Sequence, residues 1–548
     1  MRYLQLAHNR REGGVTRAEV LFNLGREDEL DVEGLRRLAR SIRRYTDPGL
    51  EDAGLIEPAE GLEVVSSRPL GGAWLLDGLW RRLGVAEALS QVLGQRRFGT
   101  DVERVLFALV CNRALAPCSK LAAAEWATED AAIPGLDGMD DDQAYRALDL
   151  LVEADAEAKV QESVFFACAD LLNLEVDLLF FDTTSTYFEA EPDSPAADED
   201  QPPPFRALGH SKDHRPDLPQ IVIGLAVTRE GIPVRVWVWP GNTNDQTVIT
   251  QVKDDLRGWR LGRCVWVVDR GFSSDENLRY LTRAGGHWIA GERMRDGSRD
   301  AQAALSRPGR YQTVRDNLRV KDVRLGEGDS AKRFVVCHNP AEAARDQAER
   351  DDHLARLQAE LDRIQTARAK AKTPKAREAH SRAECALRDH PTLSRYLKQT
   401  TTGRLQIDRA KVKTAERLDG KYLLSSSDPD LTAEEIALGY KNLQEAERSF
   451  RDLKTTLELR PVFHRLEHRI RAHIVVCWLA LLLIRIAERT TGQSWRRIAT
   501  ELQRLHQVTL QGPAGTVQQT TRPTDAQRAI LTALDITPPP RITALQPA

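Results

Sequence analysis

Runs of apolar and polar residues divide the chain into stretches of different texture. In residues 1 to about 90 the short runs YLQLA and AEVLFNLG predict strands, followed by a polar helix and a Gly/Pro-rich joint near Arg68 to Gly72, which reads as a small α+β module. The stretch 91 to 172 is helical. A capping box is expected at Thr100 and Glu103, the pattern breaks at Ala116-Pro117, and it restarts at Ser119. Two helices around a tight turn suit a DNA-binding helix-turn-helix, and equally a plain packing domain.

From 176 the texture becomes that of strands between turns and helices. VDLLFFD ends in Asp182, LPQIVIGLAV and IPVRVWVW flank Arg229-Glu230-Gly231 as a hairpin, CVWVVD ends in Asp269, and HWIAG follows a helix. This order predicts a mixed sheet covered by helices, so the fold class is multidomain α/β with a helical N-terminal region. Between about 300 and 420 the pattern is interrupted by strands at 311–338 and a helical hairpin at 341–397 broken near Pro374. There Leu354, Leu357, Leu361 and Ile364 keep a 3-4-3 spacing too short for a coiled coil. KYLLSS then resumes the sheet, and a helix capped by Thr432 and Glu435 runs to about Thr456. The apolar run Ile474 to Ile484 has 11 residues bracketed by Arg471, His473 and Arg485. A membrane span needs about 20, so a buried helix is expected. The tail beyond 510, with PPP at 538–540, reads as loosely structured.

The net charge of −3 over 548 residues gives no sign of a polyanionic partner, but the charge is unevenly spread. Arg363 to Lys421 carries 16 Lys and Arg against 6 Asp and Glu, whereas Glu189 to Asp200 has six acids and no base. The second stretch reads as a loop kept away from phosphate. The 7 cysteines are scattered without a C-x-x-C, as in a reduced cytoplasmic protein. The N-terminal MRYLQLAHNRREGG has no signal-peptide core.

Three acids stand out by position. Asp182 and Asp269 sit where apolar strands meet their polar exits, where open α/β sheets place ligand-binding groups, and carboxylates there suit Mg²⁺. The third, Glu447, lies in YKNLQEAERSFRDLK. On a continuous helix Tyr440 and Lys454 fall about 20° to either side of Glu447, with Arg451 and Leu443 about 40° away. That face would hold a metal beside a phosphate. A solvated charged stripe is the plainer alternative.

With these residues the chain resembles the DDE transposases of bacterial insertion sequences, in the branch marked by Y-x-x-R-x-x-x-E-x-x-x-x-x-x-K, with Tyr440, Glu447 and Lys454 in register. FDTTS around Asp182, GHSKDHRPDLPQ, PGNTND, VVDRGF around Asp269 and RPVFH extend the likeness over roughly 176 to 487. Leu443 replaces the signature's arginine, leaving Arg451, and less directly Arg448, to supply that charge. The resemblance implies a ribonuclease-H-like sheet in which Asp182 bridges two Mg²⁺ ions, with Mn²⁺ as a substitute, while Asp269 and Glu447 each hold one. Such a pair activates the attacking oxygen and stabilises the leaving one. It also implies cleavage at the terminal inverted repeats, strand transfer into target DNA, and a homo-oligomer that pairs two ends. Tyr440, Lys454, Arg451, Arg448, Lys212 and Arg215 are the expected DNA contacts.

The expected layout is then a small module at 1–90, a helical DNA-binding region at 91–172, a catalytic domain at 173–300 and 420–490, a basic insertion at 300–420 whose excess charge suits phosphate contact or, more plainly, solvation, and a C-terminal helical tail at 491–548. A nucleoid-associated cytoplasmic enzyme, not a membrane protein, is implied. Two rivals remain. One is a catalytically silent transposase-derived DNA-binding protein. The other is a zinc metallopeptidase, because His464-Arg465-Leu466-Glu467-His468 matches H-x-x-E-H. Trp237, Trp239, Trp259 and Trp266 suit base stacking, but their positions favour the core.

Overall fold

The computed structural model describes residues 3–12, 15–26, 62–93, 101–153, 156–172, 176–190 and 204–548, with short breaks at 260, 262–263, 296–297, 329–330 and 371, and isolated positions between 34 and 42. Thr100 and most of the acidic 189–200 stretch lie outside the described residues. The chain forms two compact units. One comprises Met1–Glu175, Thr183–Thr243 and Glu445–Ala548, and the other Val176–Asp182 and Asn244–Gln444.

The second unit holds the first half of the strand Leu178–Tyr187, up to Asp182, and then, in sheet order, Val265–Val268, His287–Glu292, Lys421–Ser426, Lys332–His338, Leu318–Leu325 and Gln312–Arg315. The first three run parallel, with Phe181 beside Val268 and Val268 beside Ala290, and the rest are antiparallel. Val265–Val268 is wholly buried, as parallel strands covered on both faces are. The expected mixed sheet is therefore present. The helix Ala433–Lys441 lies across His287–Glu292, Lys421–Ser426, Lys332–His338 and Leu318–Leu325. It is fixed at its start by the reciprocal capping box of Thr432 and Glu435.

The strands at 312–338 are ladder-bonded into this sheet through Lys332–His338 and Lys421–Ser426, so they extend it. The helices Pro340–Lys370 and Pro374–Arg388 form the expected hairpin. Its apolar spacing closes a separate core in which Leu357, Leu361 and Ile364 meet Leu387, Leu393, Tyr396, Leu397, Leu405 and Val412.

In the first unit the helix Glu467–Thr491 is buried along most of its length and packs on Val102–Leu115, Asp141–Val152 and the strand Pro233–Pro240. It is long and apolar enough to cross a membrane, but 94% of its most apolar window is buried in the protein. The hairpin Gln220–Thr228 and Pro233–Pro240 buries Trp237 and Trp239, and Trp259 and Trp266 are also in the core, so none of the four offers a stacking surface.

Two local expectations change. Val102–Leu115 is capped by Asp101, whose side chain accepts from the Glu103 N–H. The Glu103 carboxylate instead takes hydrogen bonds from Trp80 Nε1 and Arg104 in a buried network. The tail, expected to be loose, makes strands Ile542–Pro547, Gly515–Thr520 and His506–Gly512, the last pairing with Glu63–Pro69. That pairing joins segments remote in sequence, which no local pattern encodes.

The helix-turn-helix expectation also meets an obstacle. Val102–Leu115 and Lys120–Asp130 are bent by 106°, but the first is buried on nearly every face. The second exposes Leu121, Glu125, Glu129 and Asp130, while its lysine, Lys120, is buried. A face of that charge repels phosphate.

Candidate active site

Phe181 and Val268 are the last paired residues of the two parallel strands, so Asp182 and Asp269 follow as the next residue on each of two neighbouring strands. Asp269 leaves its strand as expected, preceding the 3-10 turn Arg270–Phe272. Asp182 does not: its strand continues through Thr183, Thr184, Ser185 and Thr186 to Tyr187. The four hydroxyl residues are buried, and β-branched threonines are good strand formers. Both acids are half-buried.

Above Asp269 lies Tyr440, whose hydroxyl donates to Asp269 Oδ1 at 2.8 Å. Burial, then the neighbouring carboxylate, pushes this phenol well above its ordinary value, so it is held as a donor. Its ring stacks on Tyr422 with centroids 6.2 Å apart. Gly291 makes this possible, because a Cβ there would collide with the Tyr440 hydroxyl. Gly291 and Tyr422 are neighbours of Tyr440 that sequence reasoning did not single out. A glycine inside a strand marks a close approach and was the available signal.

The helix expected to run to Thr456 is two helices, Ala433–Lys441 and Gln444–Thr455, separated by a turn at Asn442 and Leu443. Tyr440 therefore does not share one continuous helical face with Glu447 and Lys454. Leu443 is only 6% exposed, so the position that carries arginine in the signature is part of the core here. Glu447 is exposed in the first turn of Gln444–Thr455, where the helix dipole favours a carboxylate.

The expected phosphate contacts in the first unit separate into held and open groups. Lys454 Nζ donates to Asp213 Oδ1 at 2.8 Å, and Arg460 sits 3.1 Å from Asp213 Oδ2. Burial lowers the Lys454 ammonium, and the bond from Asp213 opposes that. Asp213 and Arg460 are partners the sequence did not single out. Lys212 Nζ donates to the Thr183 carbonyl and hydroxyl at 2.7 and 2.6 Å. Arg215 pairs with Asp217 at 2.8 Å, and both Arg215 and Arg460 lie over the Tyr187 ring. Arg448 reaches Glu488 at 3.2 Å, and Arg451 is exposed. Lys454 and Arg460 also line a cavity of ≈ 630 Å³ with Tyr187, Arg206, Phe463 and Arg465.

The H-x-x-E-H segment does not form a zinc site. His464 precedes the helix that starts at Glu467, so the two histidines are not one helical turn apart. His464 is buried against the rings of Tyr145 and His473, and burial pushes it down to about 3. His468 faces Asp149 at 3.1 Å, and Glu467 binds Arg471. The metallopeptidase reading fails on this geometry.

Among the described residues, no three His, Cys, Asp or Glu side chains lie together as a metal centre. Asp182 and Asp269 are nonetheless a fitting pair of donors. Carboxylate oxygens on neighbouring strands suit a hard divalent ion, which keeps further positions for water, phosphate and another ligand.

Two family models match the chain: IS1634 family transposase, N-terminal domain, over residues 1–53, and Transposase DDE domain, over residues 206–483. The second covers a little over half of the chain and includes Asp269, Tyr440, Glu447 and Lys454, while Asp182 precedes it. Among solved structures, the chain is similar to the cryo-EM structure of a piggyBac transposase synaptic complex with hairpin DNA. The identity is 10% and the TM-score 0.36, covering 79% of this chain and 78% of that one. No curated protein matches.

Proposed function

The chain belongs to the DDE transposase family of insertion sequences, enzymes that cut and join DNA strands, and on that premise we propose that Asp182 and Asp269 carry the chemistry, with Glu447 as the third acid. The observation that supports this reading most is the placement of the two aspartates side by side beyond a parallel strand pair, with Tyr440 holding one of them. Asp269 and Glu447 also fall within the matched family segment, and Asp182 joins them by its place beside Asp269.

A pair of Mg²⁺ ions, or Mn²⁺ in their place, would activate the attacking oxygen and stabilise the leaving oxygen of an in-line displacement. The chain's own residues do the rest. Tyr440 fixes one carboxylate oxygen of Asp269 and leaves the other for coordination. Lys212, whose ammonium rests on Thr183 next to Asp182, places a positive charge at the strand carrying the acid. Arg451, Arg448 and Arg215 offer further charge to phosphate, and Lys454 and Arg460 do so at the cavity beside Tyr187. The substrate is duplex DNA, first the inverted repeats of the element and then a target. The enzyme would act as a homo-oligomer, because two ends must be joined in one event.

The test is to incubate the purified full chain with end-labelled DNA carrying the element's terminus, with Mg²⁺ or EDTA. Nicking at the terminus and joining of the freed 3′ end to a second duplex, both lost in EDTA, are expected. Binding without nicking would establish the silent descendant instead.

A further inference from the structure

We propose that a groove between the helices Arg299–Ser306 and Arg409–Glu416 is a second DNA-binding site, which grips phosphates without reading sequence. It rests on the reading that the protein acts on DNA, and it adds a site that contains none of the signature residues. The groove has a volume of ≈ 1000 Å³, and five cations line it: Arg295, Arg395, Lys411, Arg417 and Lys421. No acid lines it.

The cations are arranged for an external anion. Lys411 Nζ donates to the Leu397 carbonyl and Lys421 Nζ to that of Arg417, which orients the ammonium groups but leaves their charge uncompensated. Arg395 lies over the Tyr396 ring, and Arg295 and Arg417 have no acidic partner among the described residues. The positive field is felt nearby, because Lys421 helps lower both Lys321 and His338, after burial in each case.

Sequence reading requires side chains aimed at base edges, arginine, asparagine and glutamine being the usual ones. The groove's amide side chain, Gln302, spends an N–H on the Met294 carbonyl at 2.8 Å. Lys411 and Lys421 are anchored on backbone carbonyls and Arg395 lies over Tyr396, an arrangement that presents charge to phosphates, and phosphate contacts confer no base preference.

Its position suits one continuous duplex. Glu292 pairs with Leu423, and Gly291 follows Ala290, the partner of Val268, so Lys421 lies off the same end of the sheet as Asp269. Arg295 is four positions beyond Gly291, a reach of about 14 Å at most. A duplex whose scissile phosphate lies at the aspartates would lay its neighbouring phosphates toward this groove.

Binding of the full chain to generic and to element-end duplexes is measured against salt for the parent and for Arg295→Ala/Arg417→Ala. Each phosphate contact contributes about −0.9 to the slope of log affinity on log salt, so the double variant should lose close to two such contacts. Its affinity at low salt should fall roughly tenfold or more, by the same factor on both duplexes. An unchanged slope in a folded variant overturns the groove. So does a loss confined to the element-end duplex, or a loss of inorganic phosphate binding with DNA binding intact. Failure of the parent to bind either duplex would instead overturn the DNA reading on which the groove rests.

Discussion

Asp182→Asn and Asp269→Asn are each expected to lower strand cleavage by ~10³-fold or more, beyond the 10–100-fold usual for a residue that merely supports a metal ligand. Asparagine preserves size and one oxygen but removes the charge that holds a divalent ion next to phosphate. DNA affinity should stay unchanged or rise slightly, because each carboxylate repels the backbone. The two acids are neighbours in the strand register, so their effects should not add, and the double variant should be no worse than the more damaged single one. Gel-shift and nicking assays on the same preparations separate the two quantities. Cleavage by either variant within tenfold of the parent would remove that aspartate from the site.

Tyr440→Phe should lower cleavage by about 10–100-fold with DNA affinity and salt slope unchanged, since it deletes only the hydroxyl that orients Asp269. Gly291→Ala should give the same phenotype from the opposite side, because its methyl group takes the space of the Tyr440 oxygen. Combined, Gly291→Ala/Tyr440→Phe should be no worse than either change, as phenylalanine lacks the atom that collides. A tyrosine that gripped phosphate would behave differently. Tyr440→Phe would then weaken binding on every duplex, and Gly291→Ala would be silent.

Much of the site was legible in the sequence where a local pattern carried the information. The apolar runs ending at Asp182 and Asp269 identified two buried strands, and the register makes the acids neighbours. The Thr432 and Glu435 capping box fixed where the helix carrying Tyr440 begins. The break at Asn442 and Leu443 was not legible. Neither glycine nor proline marks it, and it accompanies the burial of Leu443, a tertiary event. The bond that holds Lys454 was not legible either, because its partner Asp213 is 241 positions away. The pairing of His506–Gly512 with Glu63–Pro69 escaped for the same reason.

The basic 363–421 segment shows the limit of counting charge. Several of its arginines are paired along their own helix, Arg363 with Glu360 and Arg382 with Glu378, and such exposed pairs contribute little to stability and dilute the field. The concentrated charge is where Lys411, Arg417 and Lys421 meet Arg295 from outside that segment.

The central claim is that Asp182 and Asp269 hold a divalent ion, with Glu447 completing the set, and iron-directed backbone cleavage tests it most directly. Fe²⁺ replaces Mg²⁺ at such sites, and with ascorbate and peroxide it releases hydroxyl radicals that cut the polypeptide beside its ligands. Cuts near 182, 269 and 447, suppressed by excess Mg²⁺ and lost in Asp182→Ala, are the predicted result. Cuts confined to other segments, or cuts at 182 and 269 that persist in Asp182→Ala, would contradict it.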